Sequence, residues 1–170
     1  MPAADHIERL YDAHASALFA FLLSLTWNEA DTRDLLQEVF LKLARQPDLL
    51  AEARAERTFL LRLAHNLAVD QMRRRQTRER AHERLGQERC PLFAPVNDPD
   101  EAAFRAELSE AMGELPTEQR AVLHLKLWAG LTFEQIAGTL DIPPNTAASR
   151  YRYGLDKLRR LLRPFYDEIK

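Results

Sequence analysis

Only one cysteine occurs in the 170 residues, so no internal disulfide framework is available and the chain suits a reducing compartment. No apolar run approaches the ~20 residues that a membrane-spanning helix needs. The opening stretch MPAADHIERLYDAH carries acids and no apolar core segment, which excludes a secretory signal there. The five histidines have no ligand-like spacing to Cys90 or to carboxylates, so neither a metal nor another cofactor is expected. No Ser/His/Asp, Cys/His or Gly-rich constellation stands out, which argues against an enzyme. Strand-like alternation and internal repeats are also missing.

Net charge is nearly absent too, at −2, which at first argues against a nucleic-acid partner. Its distribution matters more than its sum. Basic residues cluster at Arg73, Arg74, Arg75, Arg78 and Arg80 and again over 150–163, while acids collect at 29–38, 98–101 and 107–118. Such segregation suits a protein that meets DNA with one face and a basic protein with another.

With 46% hydrophobic and 29% charged residues, the chain has enough apolar content for a core and reads as a soluble globular protein. Apolar residues recur with a helical period over 7–25, and His14 falls on that stripe as a packed core histidine. After a break at Trp27–Ala30, Asp31 or Thr32 is placed to cap a second helix over 32–45. That helix buries Leu35, Leu36, Val39, Phe40 and Leu43. Beside its apolar face, Asp34, Gln37, Glu38 and Leu41 form a second stripe, either solvated or a docking surface for a basic partner. A loop over 46–56 follows. From Thr58 a helix that is apolar almost all round is expected at the centre of the first bundle. Its one polar strip, Arg62, His65, Asn66 and Arg73, leads into the arginine cluster and fits nucleic-acid strands better than plain solvent. Residues 76–100 change character, and Gly86, Pro91, Pro95 and Pro99 mark a linker. Asp100 or Glu101 begins the next helix and Pro116 another, which Gly130 ends.

Thr132 to Leu162 then reads as two helices joined by a tight turn. Thr132 with Gln135 has the form of a capping box. Asp141-Ile142-Pro143 interrupts, and Pro144 suits the first turn of the second helix. At 100° per residue, Ala147, Tyr151, Leu155, Leu158 and Leu162 make a buried stripe, while Asn145, Ser149, Arg152 and Tyr153 point outward. This is a helix-turn-helix pattern whose second helix fits a DNA major groove. An ordinary helical hairpin is the alternative. The basic run Arg150, Arg152, Lys157, Arg159, Arg160 and Arg163 favours DNA. Asp141 stands at the turn, where Asp tolerates a left-handed backbone better than most residues. The expected fold is all-α: two small helical bundles joined by a linker, the C-terminal one containing the helix-turn-helix.

In their order and spacing these segments resemble the extracytoplasmic-function (ECF) sigma factors of bacterial RNA polymerase. Asp34-Leu35-Leu36-Gln37-Glu38-Val39-Phe40 looks like the family's core-binding helix. Arg57-Thr58-Phe59-Leu60 with Asn66, Asp70 and Arg73–Arg75 looks like its second signature, with Phe59 in place of Trp. Leu115-Pro116, Gln119-Arg120, Leu131-Thr132, Gln135-Ile136-Ala137, Asn145-Thr146 and Ser149-Arg150 look like its promoter-binding domain. The resemblance covers nearly everything but the linker.

It implies a cytoplasmic, non-enzymatic alternative sigma factor that binds core RNA polymerase and directs promoter-specific transcription. Residues 1–78 would form the N-terminal domain, 79–100 the linker and 101–170 the C-terminal domain. Asp31, Asp34, Leu35, Gln37, Glu38 and Leu41 would face the clamp coiled coil of the polymerase's largest subunit. Arg62, Asn66, Arg73, Arg74 and Arg75 would face the −10 element, and Asn145, Thr146, Ser149, Arg150, Arg152 and Tyr153 the −35 element. An unstacked −10 base would sit under the loop 46–56, which holds no aromatic residue of its own. An anti-sigma factor or a Ser/Thr kinase would be the regulatory partner.

The chain departs from the family at Arg33, where an acid is usual, and at Ala148, where Lys or Arg is common. Arg33 should weaken polymerase docking unless it contacts Gln37 or is neutralised by phosphorylation of Thr32. Two other readings remain open: a stand-alone helix-turn-helix regulator and a helical protein-interaction module.

Overall fold

A computed structural model describes residues 3–51, 53–79 and 90–169, and within them the chain is helical with no strand. It divides into two compact units, one of Met1–Cys90 with Gly138–Leu140 and the other of Pro91–Ala137 and Asp141–Lys170. The all-α expectation of two bundles therefore holds. Most of the linker expected at 79–100, including Gly86 and the basic Arg80, lies outside the described residues; 90–98 is irregular.

In the first unit α1 (Ala3–Thr26), α2 (Glu29–Arg45) and α3 (Glu56–Glu79) pack pairwise. Leu10, Leu18, Phe21 and Leu22 of α1 meet Leu35, Val39 and Leu43 of α2 and Leu60, Leu61 and Ala64 of α3 in one core, all essentially without solvent exposure. Each such side chain contributes about 1.5–3 kcal/mol relative to leaving it in water. Tyr11 is half-exposed and lies against Phe40, ring centroids 5.0 Å apart. His14 sits at the edge of the core, its Nε2 3.5 Å from a Glu56 carboxylate oxygen.

Helix α2 starts earlier than the sequence pattern indicates. Its cap is Asn28, whose side chain accepts from the Asp31 N–H at 2.9 Å, after Trp27 turns the chain with φ 55°. Asp31 and Thr32 therefore lie inside the first turn. The reason is local: Asn28 satisfies an orphan N–H that a later cap would leave open. Between α2 and α3, Pro47–Leu50 forms a short 3-10 turn.

The second unit contains α4 (Pro99–Gly113), α5 (Thr117–Leu127), most of α6 (Phe133–Leu140) and α7 (Pro144–Ile169). Asp98 caps α4 by accepting from the Asp100 and Glu101 N–H groups, so Pro99 opens this helix rather than barring one. Helices α4 and α5 both pack on α7. Gly154 permits the α5–α7 approach: a Cβ there would lie 3.1 Å from Leu123 Cδ1 and 3.3 Å from Gln119 Cβ. Helix α7 continues through Pro164, well past Leu162.

Candidate functional site

The helix-turn-helix is assembled by local chemistry. The Thr132 hydroxyl accepts from the Gln135 N–H at 3.1 Å, and the Gln135 side chain accepts from the Thr132 N–H at 2.9 Å, completing the capping box. Asp141 ends α6 in the left-handed conformation (φ 55°, ψ 52°), and α7 begins with Pro144. Beyond the turn, Ala147, Leu158 and Leu162 are buried, while Tyr151 and Leu155 are only partly so. Asn145, Arg152 and Tyr153 are exposed; Thr146, Ser149 and Arg150 are half-buried. The Arg152 guanidinium lies 5.2 Å from the Tyr153 ring centroid, which holds the long side chain against the helix surface. Lys157 leaves the basic run: its ammonium donates to the Glu114 carbonyl at 2.8 Å and satisfies the C-terminus of α4.

On α2, Asp34, Gln37, Glu38 and Leu41 are all exposed, Leu41 to 45%. Two other expected members of that face do not join them. Leu35 is 1% exposed in the core, so it supports the stripe from beneath and cannot touch a partner. Asp31 turns inward to Arg75, which donates to both its oxygens at 2.5 and 2.6 Å. Arg33 pairs back with Glu29, one turn nearer the helix start, instead of forward with Gln37. Glu four residues before Arg is the favourable order on a helix. Thr32 is fully buried and its hydroxyl bonds the Asn28 carbonyl and the Thr26 hydroxyl. A kinase has no access to that oxygen, and a phosphate would have to enter the core. Phosphorylation of Thr32 would need this first turn of α2 to open.

Along α3, Arg62, Asn66, Arg73 and Arg74 are exposed. Helical geometry places Arg62, Asn66 and Arg73 within about 40° of one another, with Arg74 about 100° round from Arg73. Arg75 stands about 200° from Arg73, on the side that meets α2, which is why it pairs with Asp31 and not with the strip. At the head of α3 the Arg9 guanidinium, 2.7 Å away, holds the Glu56 carboxyl below its ordinary pKa.

Next to the strip an open cavity of about 620 Å³ is lined by Arg45, Gln46, Pro47, Asp48, Leu49, Ala53 and Phe59. The loop supplies polar groups, and Phe59, one turn before Arg62, supplies the aromatic side chain the loop lacks. Burial and the nearby Glu29 push the Cys90 thiol up, away from the reactive thiolate. No group of His, Cys, Asp or Glu among the described residues could hold a metal ion, and no described helix is long and apolar enough to cross a membrane.

Comparison with known proteins bears on both units. Residues 10–78 match Sigma-70 region 2, and residues 105–158 match Sigma-70, region 4. The chain is 30% identical over 154 residues to the ECF RNA polymerase sigma factor SigL of Mycobacterium tuberculosis, covering 90% of this chain and 86% of that one. It is 31% identical over 160 residues to the RNA polymerase sigma factor CarQ of Myxococcus xanthus, covering 94% and 91%. It is also similar, at 22% identity and a TM-score of 0.77, to the sigma factor RpoE of Bartonella quintana, solved with the anti-sigma factor NepR; 92% of this chain and 96% of that one are covered. The chain thus belongs to the ECF family of RNA polymerase sigma factors, alternative factors that bind core polymerase and direct transcription initiation.

Proposed function

We propose that the two units divide promoter recognition between them, residues 1–78 serving polymerase docking and the −10 element, 79–100 joining, and 101–170 serving the −35 element. The observation that carries this reading is the separation of exposed charge in the first unit. Acidic Asp34 and Glu38 stand on α2 with Gln37 and Leu41, while Arg62, Asn66, Arg73 and Arg74 stand on α3. One face fits a basic protein surface, the other the phosphates of opened DNA. Phe59 offers a stacking surface to an extruded base, and Gln46 and Asp48 line the same cavity. Stacking of this kind contributes about 1–3 kcal/mol and offsets the unpairing cost. The factor acts in the cytoplasm and contributes no catalytic group; phosphodiester chemistry belongs to the polymerase. An anti-sigma factor that covers either face would silence it. Transcription in vitro from a genomic promoter pool, with and without core polymerase, tests the reading. Transcripts that need both proteins support it, and duplex-DNA binding without polymerase would favour a stand-alone regulator.

Two substitutions refine the assignment. Asn66→Ala should slow opening of a duplex promoter while core affinity stays near wild type, and a pre-melted promoter should bypass the defect. Permanganate footprinting on both templates reads this, and equal loss on the two would make Asn66 a structural residue. Arg152→Ala should cost about 1–3 kcal/mol at the −35 element if the guanidinium reads a base edge. Competition binding against scrambled −35 sequences checks it: unchanged selectivity would leave Arg152 with phosphate contacts only.

A further inference from the structure

Asp31 and Arg75 lie 44 residues apart and meet through two parallel hydrogen bonds. A fork of this kind fixes both distance and rotation, where a lysine would fix distance alone. The Asp31 side chain is 13% exposed and that of Arg75 40%, so the pair is shielded better than the open Arg33–Glu29 contact. Its place in the fold gives it leverage. Every buried side chain of α3 lies at or before Ala68, and beyond it none of the described α3 side chains is fully buried. The end of α3 that carries Arg73 and Arg74 therefore projects from the core with little apolar packing to fix its direction. Asp31 sits in the first turn of α2, immediately before the stripe that begins at Asp34.

We propose that Asp31 and Arg75 are a positioning pair, which ties the polymerase-facing helix to the DNA-facing one and sets where Arg73 and Arg74 stand over the promoter. Neither residue touches polymerase or DNA itself. The inference rests on the reading that α2 docks and α3 faces the −10 strands. Docking on α2 then fixes α3 through this tie, so binding energy spent on polymerase also orients the arginines at the DNA.

The test uses the full chain with core polymerase and measures core affinity, promoter opening and thermal stability side by side. Asp31→Asn and Arg75→Gln should each reduce opening of a duplex promoter by about tenfold, within the range seen for coupled neighbours. Core affinity should stay within about twofold, because both residues lie outside the docking stripe. Arg75→Lys keeps the charge and loses the fork, and should remain defective. The reciprocal exchange Asp31→Arg with Arg75→Asp should recover most of the opening rate, which a simple loss of a contact would not do. If Asp31→Asn weakens core binding and the exchange fails to restore it, Asp31 is a direct polymerase contact and the proposal falls. Full activity of Arg75→Lys would make Arg75 a direct phosphate contact, and the proposal falls equally. Single variants indistinguishable from wild type overturn it as well. Glu38→Lys serves as the separate control: if it leaves core affinity intact, the docking assignment is wrong whatever the pair does.

Discussion

Arg120→Ala should lower the stability of the C-terminal unit by about 3 kcal/mol, within the range seen when a buried polar partner is removed and a cavity is left. Arg120 is 6% exposed, which is rare for arginine. Its Nη1 approaches the Met112 and Leu115 carbonyls at 3.5 and 3.4 Å, and its Nη2 lies 3.4 Å from the Thr117 hydroxyl. These groups lie where α4 ends and α5 begins, the Met112 carbonyl also accepting from the Leu115 N–H at 3.2 Å, and a cation suits that negative end of the helix. The bonds are long and the Met112 carbonyl keeps its backbone partner, so most of the expected loss comes from the emptied volume and from the Leu115 carbonyl left without the guanidinium. Arg120→Lys should recover little, since one ammonium cannot reach both sides of the corner. Urea denaturation of the full chain, followed by a signal from Trp128, measures the effect. A loss under about 1 kcal/mol would mean that water or a repacked side chain replaces the guanidinium. Because α5 packs on α7, −35 affinity should fall with the folded fraction and not through any direct contact.

Arg120 also marks where sequence reasoning stops. In the sequence it belongs to a recognisable segment beside Pro116 and Gln119, but nothing there distinguishes a buried arginine from a DNA-contacting one. Periodicity predicts which helix face turns inward; the core of α2 follows it, and on α7 Ala147, Leu158 and Leu162 do while Tyr151 and Leu155 stay partly exposed. Capping chemistry was equally legible at Thr132 and Gln135, because both halves of the box lie within four residues. It failed at Asn28, where the break around Trp27 hid a cap three residues before the expected start.

Pairings across helices are the main category that the sequence leaves open. Asp31 and Arg75 carry charges that fit separate partners when each helix is read alone. Helical angle alone separates Arg75 from Arg73 by about 200°, so the three consecutive arginines cannot share one face. Leu35 is a similar case, since its place in the apolar set and its place in the docking set exclude each other. Thr32 needed the fold: only the approach of Thr26 and the Asn28 carbonyl shows that its hydroxyl is spent internally. Phe59 needed it too, because the cavity joins a loop to the helix that follows.

Mild acid should destabilise the C-terminal unit through His124. Burial lowers the imidazole of this residue to about 4 from an ordinary 6.5, its ring lying 5.6 Å from Trp128 between centroids. The folded state therefore favours neutral histidine, and the unfolded chain takes up a proton first as pH falls. Stability from this group is complete above about pH 6.5 and falls through the interval down to pH 4. Below that both states carry the proton and the loss ends. The separation corresponds to about 3 kcal/mol at most. For a unit of this size that is on the order of 15 °C in melting temperature. Glu56, whose carboxyl Arg9 holds below its ordinary value, belongs to the other unit, so the comparison must be made by difference. His124→Gln removes the titrating group, and its melting temperature should fall less than that of the parent between pH 7 and pH 4.5. Loss of imidazole packing should make the variant less stable at pH 7 and narrow the gap on acidification. Direct titration of the His124 ring by NMR gives the independent check. A midpoint near 6.5 in the folded protein would mean that the ring reaches solvent, and the difference in acid sensitivity should then vanish.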